Sequence, residues 1–208
     1  ENMAQEIQKS EKLKDEFISS VSHELRTPLT SIKGWSETLG LDNISKEELS
    51  MGLGIINDET ERLIKLVEEL LDFSRMSSNR MKLNIAEVNI ENLVSSVINQ
   101  LRSMAIKKNI RLSFEFLNQD MTIIYGDKDR LRQVLINLVQ NSLKFTPEEG
   151  VISVKVDQTS NETSICVADN GIGIDEKNIA NVSKKFFQED FHKSGSGLGL
   201  AISEEIVK

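Results

Sequence analysis

Three groups of polar residues in this chain have types and spacings suited to chemistry. The first is His23-Glu24-Leu25-Arg26-Thr27-Pro28. Thr27 follows His23 by four residues and Glu24 is adjacent, so an imidazole, a carboxylate and a hydroxyl share one helical turn, a set suited to acid–base work. An exposed histidine alone says little. The zinc pattern H-E-x-x-H is absent, because Thr27 stands where its second histidine belongs. Pro28 lacks an N–H and crowds the carbonyl of Glu24, so a helix is expected to kink just beyond His23. The second group is Asn137, Asn141 and Lys144, two amides and an ammonium on one helix face. Amide oxygens are hard, neutral ligands that suit a magnesium ion shared with phosphates, and Lys144 can meet a phosphate directly. Standing alone, this face would read as solvated surface. It is followed by a third group, Asp169-Asn170-Gly171-Ile172-Gly173 at the end of a strand pattern and Gly195-Ser196-Gly197-Leu198-Gly199-Leu200 at the start of a helical one. There glycines admit a ligand to the backbone, and N–H groups at a helix start can face phosphate. Neither the P-loop nor the dinucleotide glycine spacing is present.

Elements of two kinds must position these groups. Ile18, Val21, Leu25, Pro28, Ile32, Trp35 and Leu39 recur at spacings of three and four, a coiled-coil-like seam that places His23 at the position farthest from it. Upstream the seam thins to Ile7, Leu13 and Phe17. After a break at residues 40–44, Ser45 and Glu48 form a capping box. A second helical stripe then runs through Leu49, Ile56, Leu63 and Leu70, flanked by Leu53, Leu66, Val67 and Phe73, until Ser77-Ser78-Asn79 interrupts it. Two helices in a hairpin cannot surround their own seam, so pairing with a second copy into a four-helix bundle is expected. The remainder alternates. A short strand is expected at Leu83 and Ile85, then a helix from an Asn89 cap along Ile90, Leu93, Val94, Val97, Ile98, Leu101 and Met104. Further strands are expected along Ile110 to Phe116 and Met121 to Tyr125, a helix along Leu131 to Val139, and two strands joined by a turn at residues 158–161. This is an α+β sandwich with one mixed sheet and helices on one face.

Composition bounds the rest. At 208 residues the chain fits one large domain or two modest ones, and 38% apolar and 28% charged residues with only 2 Pro mark a globular protein. The net charge of −8 argues against duplex nucleic acid and against charge-driven adhesion to membranes. One cysteine, Cys166, and two histidines cannot build a disulfide framework or a Cys/His zinc cage, and a reducing compartment fits. No apolar run approaches a membrane span, and the N-terminus lacks the order of a signal peptide.

Four segments in order, from Phe17 through His23 to Leu29, Asn137 to Thr146, Asp169 to Gly173 and Gly195 to Leu200, closely resemble the H, N, G1 and G2 boxes of two-component sensor histidine kinases. The resemblance runs from about Lys12 to the end. It implies a dimerisation and histidine-phosphotransfer hairpin at residues 1–77 and a Bergerat-type ATP-binding domain at 78–208. Relatives usually continue through further strands beyond the point matching Lys208, so the C-terminal end of that fold is expected to be lacking here. By the same resemblance His23 is the phosphoacceptor, Glu24 the base assisting it, and Thr27 the residue positioning water that removes phosphate from a partner. Asn141 and Asn137 would hold Mg2+, Lys144 would contact phosphate, and Asp169 would bond the adenine amino group of ATP. Gly171, Gly173, Gly197, Leu198 and Gly199 would shape the pocket and its lid. Phe145 stands where many relatives carry tyrosine, so a ring can pack there without a hydroxyl. Residues 181–188 keep part of the family's F box, and the lid at 189–194 is short.

The activity implied is ATP-dependent autophosphorylation of His23 with transfer to an aspartate of a response regulator receiver domain, together with phosphatase activity toward that partner. The protein would be a cytoplasmic homodimer touching neither nucleic acid nor membrane, although a longer parent protein could be membrane-anchored. The linker at 77–79 and the Pro28 kink are the expected hinges. Two other readings are a non-catalytic, ATP-binding dimeric scaffold and a clamp-closing ATPase related to gyrase or MutL. The second leaves His23 and its box without a role.

Overall fold

The computed structural model describes residues 2–41, 43–77, 82–118, 123–159, 162–184, 187 and 197–208, with side chains from residue 18 onward except those of residues 20, 76 and 77. The chain divides into two compact units, Glu1–Ser78 with Lys185–Leu198, and Asn79–Lys184 with Gly199–Lys208.

The first unit is built on two helices, α1 (Asn2–Leu39) and α2 (Lys46–Ser77). Ser45 opens α2 as the expected capping box: its Oγ accepts from the Glu48 amide at 3.1 Å, and its own amide donates to Glu48 Oε2 at 3.0 Å. Along α1 the seam residues from Val21 to Leu39 turn inward and Pro28 is buried, while Ile18 stays half exposed. Gly52 lets α2 lie against α1, because a Cβ there would stand 2.7 Å from the Trp35 ring and 3.0 Å from Leu39 Cδ2. The upstream seam positions Ile7, Leu13 and Phe17 lie outside the described side chains.

The second unit runs β1 (Ala86–Asn89), α3 (Ile90–Lys107), β2 (Arg111–Phe116), β3 (Ile123–Gly126), α4 (Lys128–Phe145), β4 (Val151–Gln158), β5 (Thr163–Asp169), α5 (Glu176–Ile179) and α6 (Gly199–Val207). Asn89 caps α3 by accepting from the Asn92 amide at 2.8 Å, as its position predicts. Val97, Ile98 and Leu101 of α3, Leu135, Val139 and Leu143 of α4, and Ile152, Val154 and Val156 of β4 close one apolar core.

The strands differ from expectation in two respects. They form two sheets, an antiparallel pair β1-β3 and a three-stranded sheet in the order β2-β4-β5, with β4 parallel to β2 and antiparallel to β5. The first strand also starts later, at Ala86 opposite Gly126. Leu83 and Ile85 lie outside it and are exposed, because the Asn84 amide is drawn to the Asp127 carboxylate at 2.8 Å and takes the chain toward the start of α4. Met121 and the turn residues Ser160 and Asn161 lie outside the described residues. No described helix is long and apolar enough to cross a membrane.

Candidate functional site

The site residues lie in both units. In the first, the heptad position of His23 leaves its ring exposed on α1. Thr27, one turn on, is also exposed and its Oγ1 donates to the His23 carbonyl at 3.2 Å. Glu24 points elsewhere. Its Oε2 accepts from Arg62 Nη2 of α2 at 3.2 Å, and its side chain is only 14% exposed. Arg62 in turn reaches Glu59 at 3.8 Å, so a cross-helix cluster of two carboxylates and one guanidinium lies one residue from the imidazole. Pro28 sits inside α1, which continues through it to Leu39. Having no N–H, it leaves the Glu24 carbonyl without its intrahelical donor.

In the second unit α4 carries the amides. Asp127 starts this helix by accepting from the amides of Asp129 and Arg130 at 3.0 and 3.1 Å. With Leu135, Val139 and Leu143 buried in the core, Asn137 and Asn141 fall half-buried on the flank and Lys144 becomes exposed. Asn137 Nδ2 donates to Ser203 Oγ of α6 at 2.9 Å, which turns its Oδ1 away from that bond. A Cβ at Gly199 would collide with the Asn137 Oδ1, so a larger residue at the start of α6 would displace that amide. Lys144 Nζ stands 4.7 Å from the centroid of the Phe145 ring. The last turn of α4 is held from α3, where Lys108 Nζ donates to the Leu143 carbonyl at 2.7 Å.

Asp169 ends β5 opposite Ile152. Its Oδ1 accepts from the Gly171 amide at 2.9 Å and its Oδ2 from Ser142 Oγ at 2.8 Å. A Cβ on Gly171 would stand 2.7 Å from the Phe145 carbonyl oxygen and 2.8 Å from Asp169 Oδ1, so the absent side chain lets this loop touch the end of α4. Asn170 fastens the same loop to β4, accepting from the Val151 amide at 2.7 Å. Gly173 and Gly197 adopt the left-handed region at φ 72° and 67°. Leu198 is buried and directly precedes α6. Gly195, Ser196, the lid at 189–194, and Phe186 and Gln188 of the partial F box lie outside the described residues.

The structure thus joins Asn137 to Gly199, and Asp169 to Gly171 and the end of α4. It also brings in residues the sequence did not single out. Ser142 and Arg62 hold the two candidate acidic groups, and Ser203 holds Asn137. Thr146 is buried with its Oγ1 lacking a hydrogen-bond partner. A buried serine within an apolar helix stripe was the available signal for Ser142. Arg62 and Ser203 are bound to partners 38 and 66 residues away, beyond any local pattern. Among the described residues no group of three His, Cys, Asp or Glu could hold a metal ion. A cation here would rest on neutral amide oxygens and on oxygens of its own ligand, a donor set that fits magnesium carried by phosphates.

Comparison with known proteins gives a consistent result. Residues 126–208 match the family described as histidine kinase-, DNA gyrase B- and HSP90-like ATPase, and residues 13–79 match the His Kinase A phospho-acceptor domain. The chain is 33% identical to the sensor histidine kinase YclK of Bacillus subtilis, over 98% of this chain and 43% of YclK. It is 32% identical to WalK of the same organism, over 98% of this chain and 34% of WalK, so it spans less than half of either relative. Among solved structures it is similar to the catalytic domain of histidine kinase ThkA, with 31% identity, a TM-score of 0.55, and coverage of 61% of this chain and 80% of that one. It is also similar to ThkA in complex with the response regulator protein TrrA, with 29% identity, a TM-score of 0.69, and coverage of 90% and 55%.

Proposed function

The chain belongs to the histidine kinases, and on that premise we propose that it autophosphorylates His23 from ATP and passes the phosphoryl group to an aspartate of a response regulator receiver domain. The observation that carries this reading is the pairing, in one chain, of an exposed histidine on a helical hairpin with a separate unit in which α4, the β5 loop and α6 converge their polar groups. A hydrolytic clamp would leave the first half of that pairing unused.

In this mechanism Asp169 accepts the exocyclic amine of adenine, while Gly171 and Gly173 let the ring approach the backbone. Lys144 meets a phosphate as a point charge. Asn141, with the Oδ1 of Asn137, would hold Mg2+, which when bound neutralises charge on the phosphates. An imidazole nitrogen of His23 attacks the γ-phosphorus in line. The N–P bond forms as the bond from phosphorus to the β–γ bridging oxygen breaks, ADP departs, and Glu24 takes the proton the ring sheds. For that step Glu24 leaves Arg62, which in the resting structure turns its carboxylate toward α2. His23 later yields the phosphoryl group to the receiver aspartate. A separate duty, clearing phosphate from that partner with water, falls to Thr27, whose exposed hydroxyl lies one turn from His23 on the same helix.

Residues 1–77 would serve as the dimerisation and phosphotransfer domain and 78–208 as the catalytic one, with the linker between them and Pro28 as hinges. A shallow, open surface along α1 that takes in Ser22, Arg26, Thr30 and Lys33 suits a receiver. Exposed Leu49, Leu53, Ile64, Val67 and Leu71 on α2 favour a second copy of the hairpin as the partner within the bundle.

The test is incubation with γ-labelled ATP and magnesium, comparing the native chain with His23→Gln. Label that is acid-labile, base-stable and absent from the variant is expected. ATP binding without label would instead indicate a non-catalytic scaffold, and label retained by His23→Gln would remove His23 from its role.

A further inference from the structure

We propose that Ser142 is a positioning residue that sets base selectivity, so that this site takes a 6-aminopurine nucleotide in preference to a 6-oxopurine one. The proposal rests on the reading of Asp169 as the group that meets the base, and it adds the reason that group discriminates.

Ser142 lies inside α4 and is buried among apolar neighbours. Alanine would suit a helix interior better and would bury no hydroxyl. A serine inside a helix commonly turns its hydroxyl back onto a carbonyl of its own helix. Here Ser142 Oγ donates instead across to Asp169 Oδ2, 2.8 Å away and 27 residues distant in sequence. The Gly171 amide donates to the other oxygen, Oδ1, at 2.9 Å. One acceptor direction on each oxygen is therefore used, and each donor comes from a different element, so the carboxylate is fixed in rotation as well as in place.

That fixation has a chemical consequence. A carboxylate accepts and does not donate. Free to rotate, it can turn both oxygens toward the adjacent N1–H and N2–H donors of guanine, which form a fork. Held by Ser142 and Gly171, it cannot swing or shift to meet a fork presented at the neighbouring ring positions, and it offers the amine of adenine a fixed acceptor. The 6-oxo group of guanine or hypoxanthine would face those acceptors with another acceptor. A site built around a specific hydrogen bond rejects an analogue that cannot make it far better than an apolar slot does.

The experiment is calorimetric titration of the whole chain with ATP and GTP for the native protein, Ser142→Ala, Ser142→Cys and Asp169→Asn. Ser142→Ala is expected to weaken ATP binding by about three- to tenfold, the worth of one hydrogen bond. GTP binding should be unchanged or stronger, so the ratio of the two dissociation constants falls. Cysteine, a weak donor of similar size, should give an intermediate ratio. Because a ratio of dissociation constants does not depend on the fraction of folded protein, a merely structural role would leave it unmoved. Equal weakening of both nucleotides by Ser142→Ala, or no change in either, overturns the inference. If Asp169→Asn still abolishes ATP binding in that case, the pocket reading survives alone. If Asp169→Asn leaves ATP affinity intact, both fall together.

Discussion

Glu24 and Asp169 are both carboxylates with proposed duties, and each is held by a residue from another element. Glu24 is clamped by Arg62, with 14% and 31% of the two side chains exposed, so the pair is shielded well enough to couple. A double-mutant cycle of Glu24→Gln and Arg62→Gln on thermal unfolding is expected to give a coupling of about 1 kcal/mol. The single Arg62→Gln change should also speed labelling of His23, since it frees a carboxylate that the resting structure turns toward α2. Zero coupling would mean that the contact orients nothing. Around Asp169 the crowding is steric. Gly171→Ala puts a methyl against both the Phe145 carbonyl oxygen and Asp169 Oδ1, so the loop must retreat from α4. ATP affinity should fall on the order of tenfold or more, because small displacements of a positioned group are costly. An alanine variant that binds ATP normally would show that the loop has room the close contacts deny.

At the level of elements, Asp127 does two jobs. One oxygen caps α4 and the other holds the Asn84 amide, tying the segment before β1 to the helix that carries Asn137, Asn141 and Lys144. The bond from Asn84, then those from Arg130 and Asp129 with the nearby Arg130 charge, hold the Asp127 carboxyl below its ordinary value. A carboxyl lowered in the folded state contributes stability that is present above its unfolded value, about 3.9, and lost as pH falls through the lower folded value. Asp127→Asn keeps a capping oxygen without the ionisation. Its deficit in urea midpoint relative to the native chain should therefore be full at pH 7 and narrow below about pH 4. An equal deficit at both values would show that charge plays no part. Asp127 also marks where the sequence was hard to read. The Ser45-Glu48 box and the Asn89 cap act within four residues, and the apolar periods of α3 and α4 need only their own helices, so these were legible. The pairing of β1 with β3 spans more than thirty residues, and Leu83 and Ile85 imitate a strand whose backbone is claimed by Asp127 instead. Likewise the four boxes mark the groups proposed to do chemistry, whereas Arg62, Ser142 and Ser203, which bond three of them, are defined only by contacts across elements.

For the whole molecule, the hairpin has more apolar surface than its two helices can cover. Val21, Leu25, Pro28, Trp35 and Leu39 of α1 turn inward with Gly52 and Leu66 of α2. Leu49, Leu53, Ile64, Val67 and Leu71 remain about half exposed at helical spacing along α2, and Ile18 and Leu29 along α1. Burying a half-exposed leucine or isoleucine contributes roughly 1 kcal/mol, so a stripe of this length repays association when a second hairpin supplies the same stripe by symmetry. Sedimentation should accordingly give twice the 23.4 kDa chain mass, and Ile64→Glu combined with Leu71→Glu should return the protein to a single chain. The catalytic unit contains neither position, so the doubly substituted chain is expected to bind ATP with native affinity. Its His23 labelling then separates two arrangements of the dimer. Loss of label, with ATP binding intact, means that the nucleotide of one subunit serves the histidine of the other. Label retained in the single chain means that each subunit phosphorylates itself and that the bundle serves to place the receiver. A native chain that sediments alone would leave the α2 stripe without the partner proposed for it.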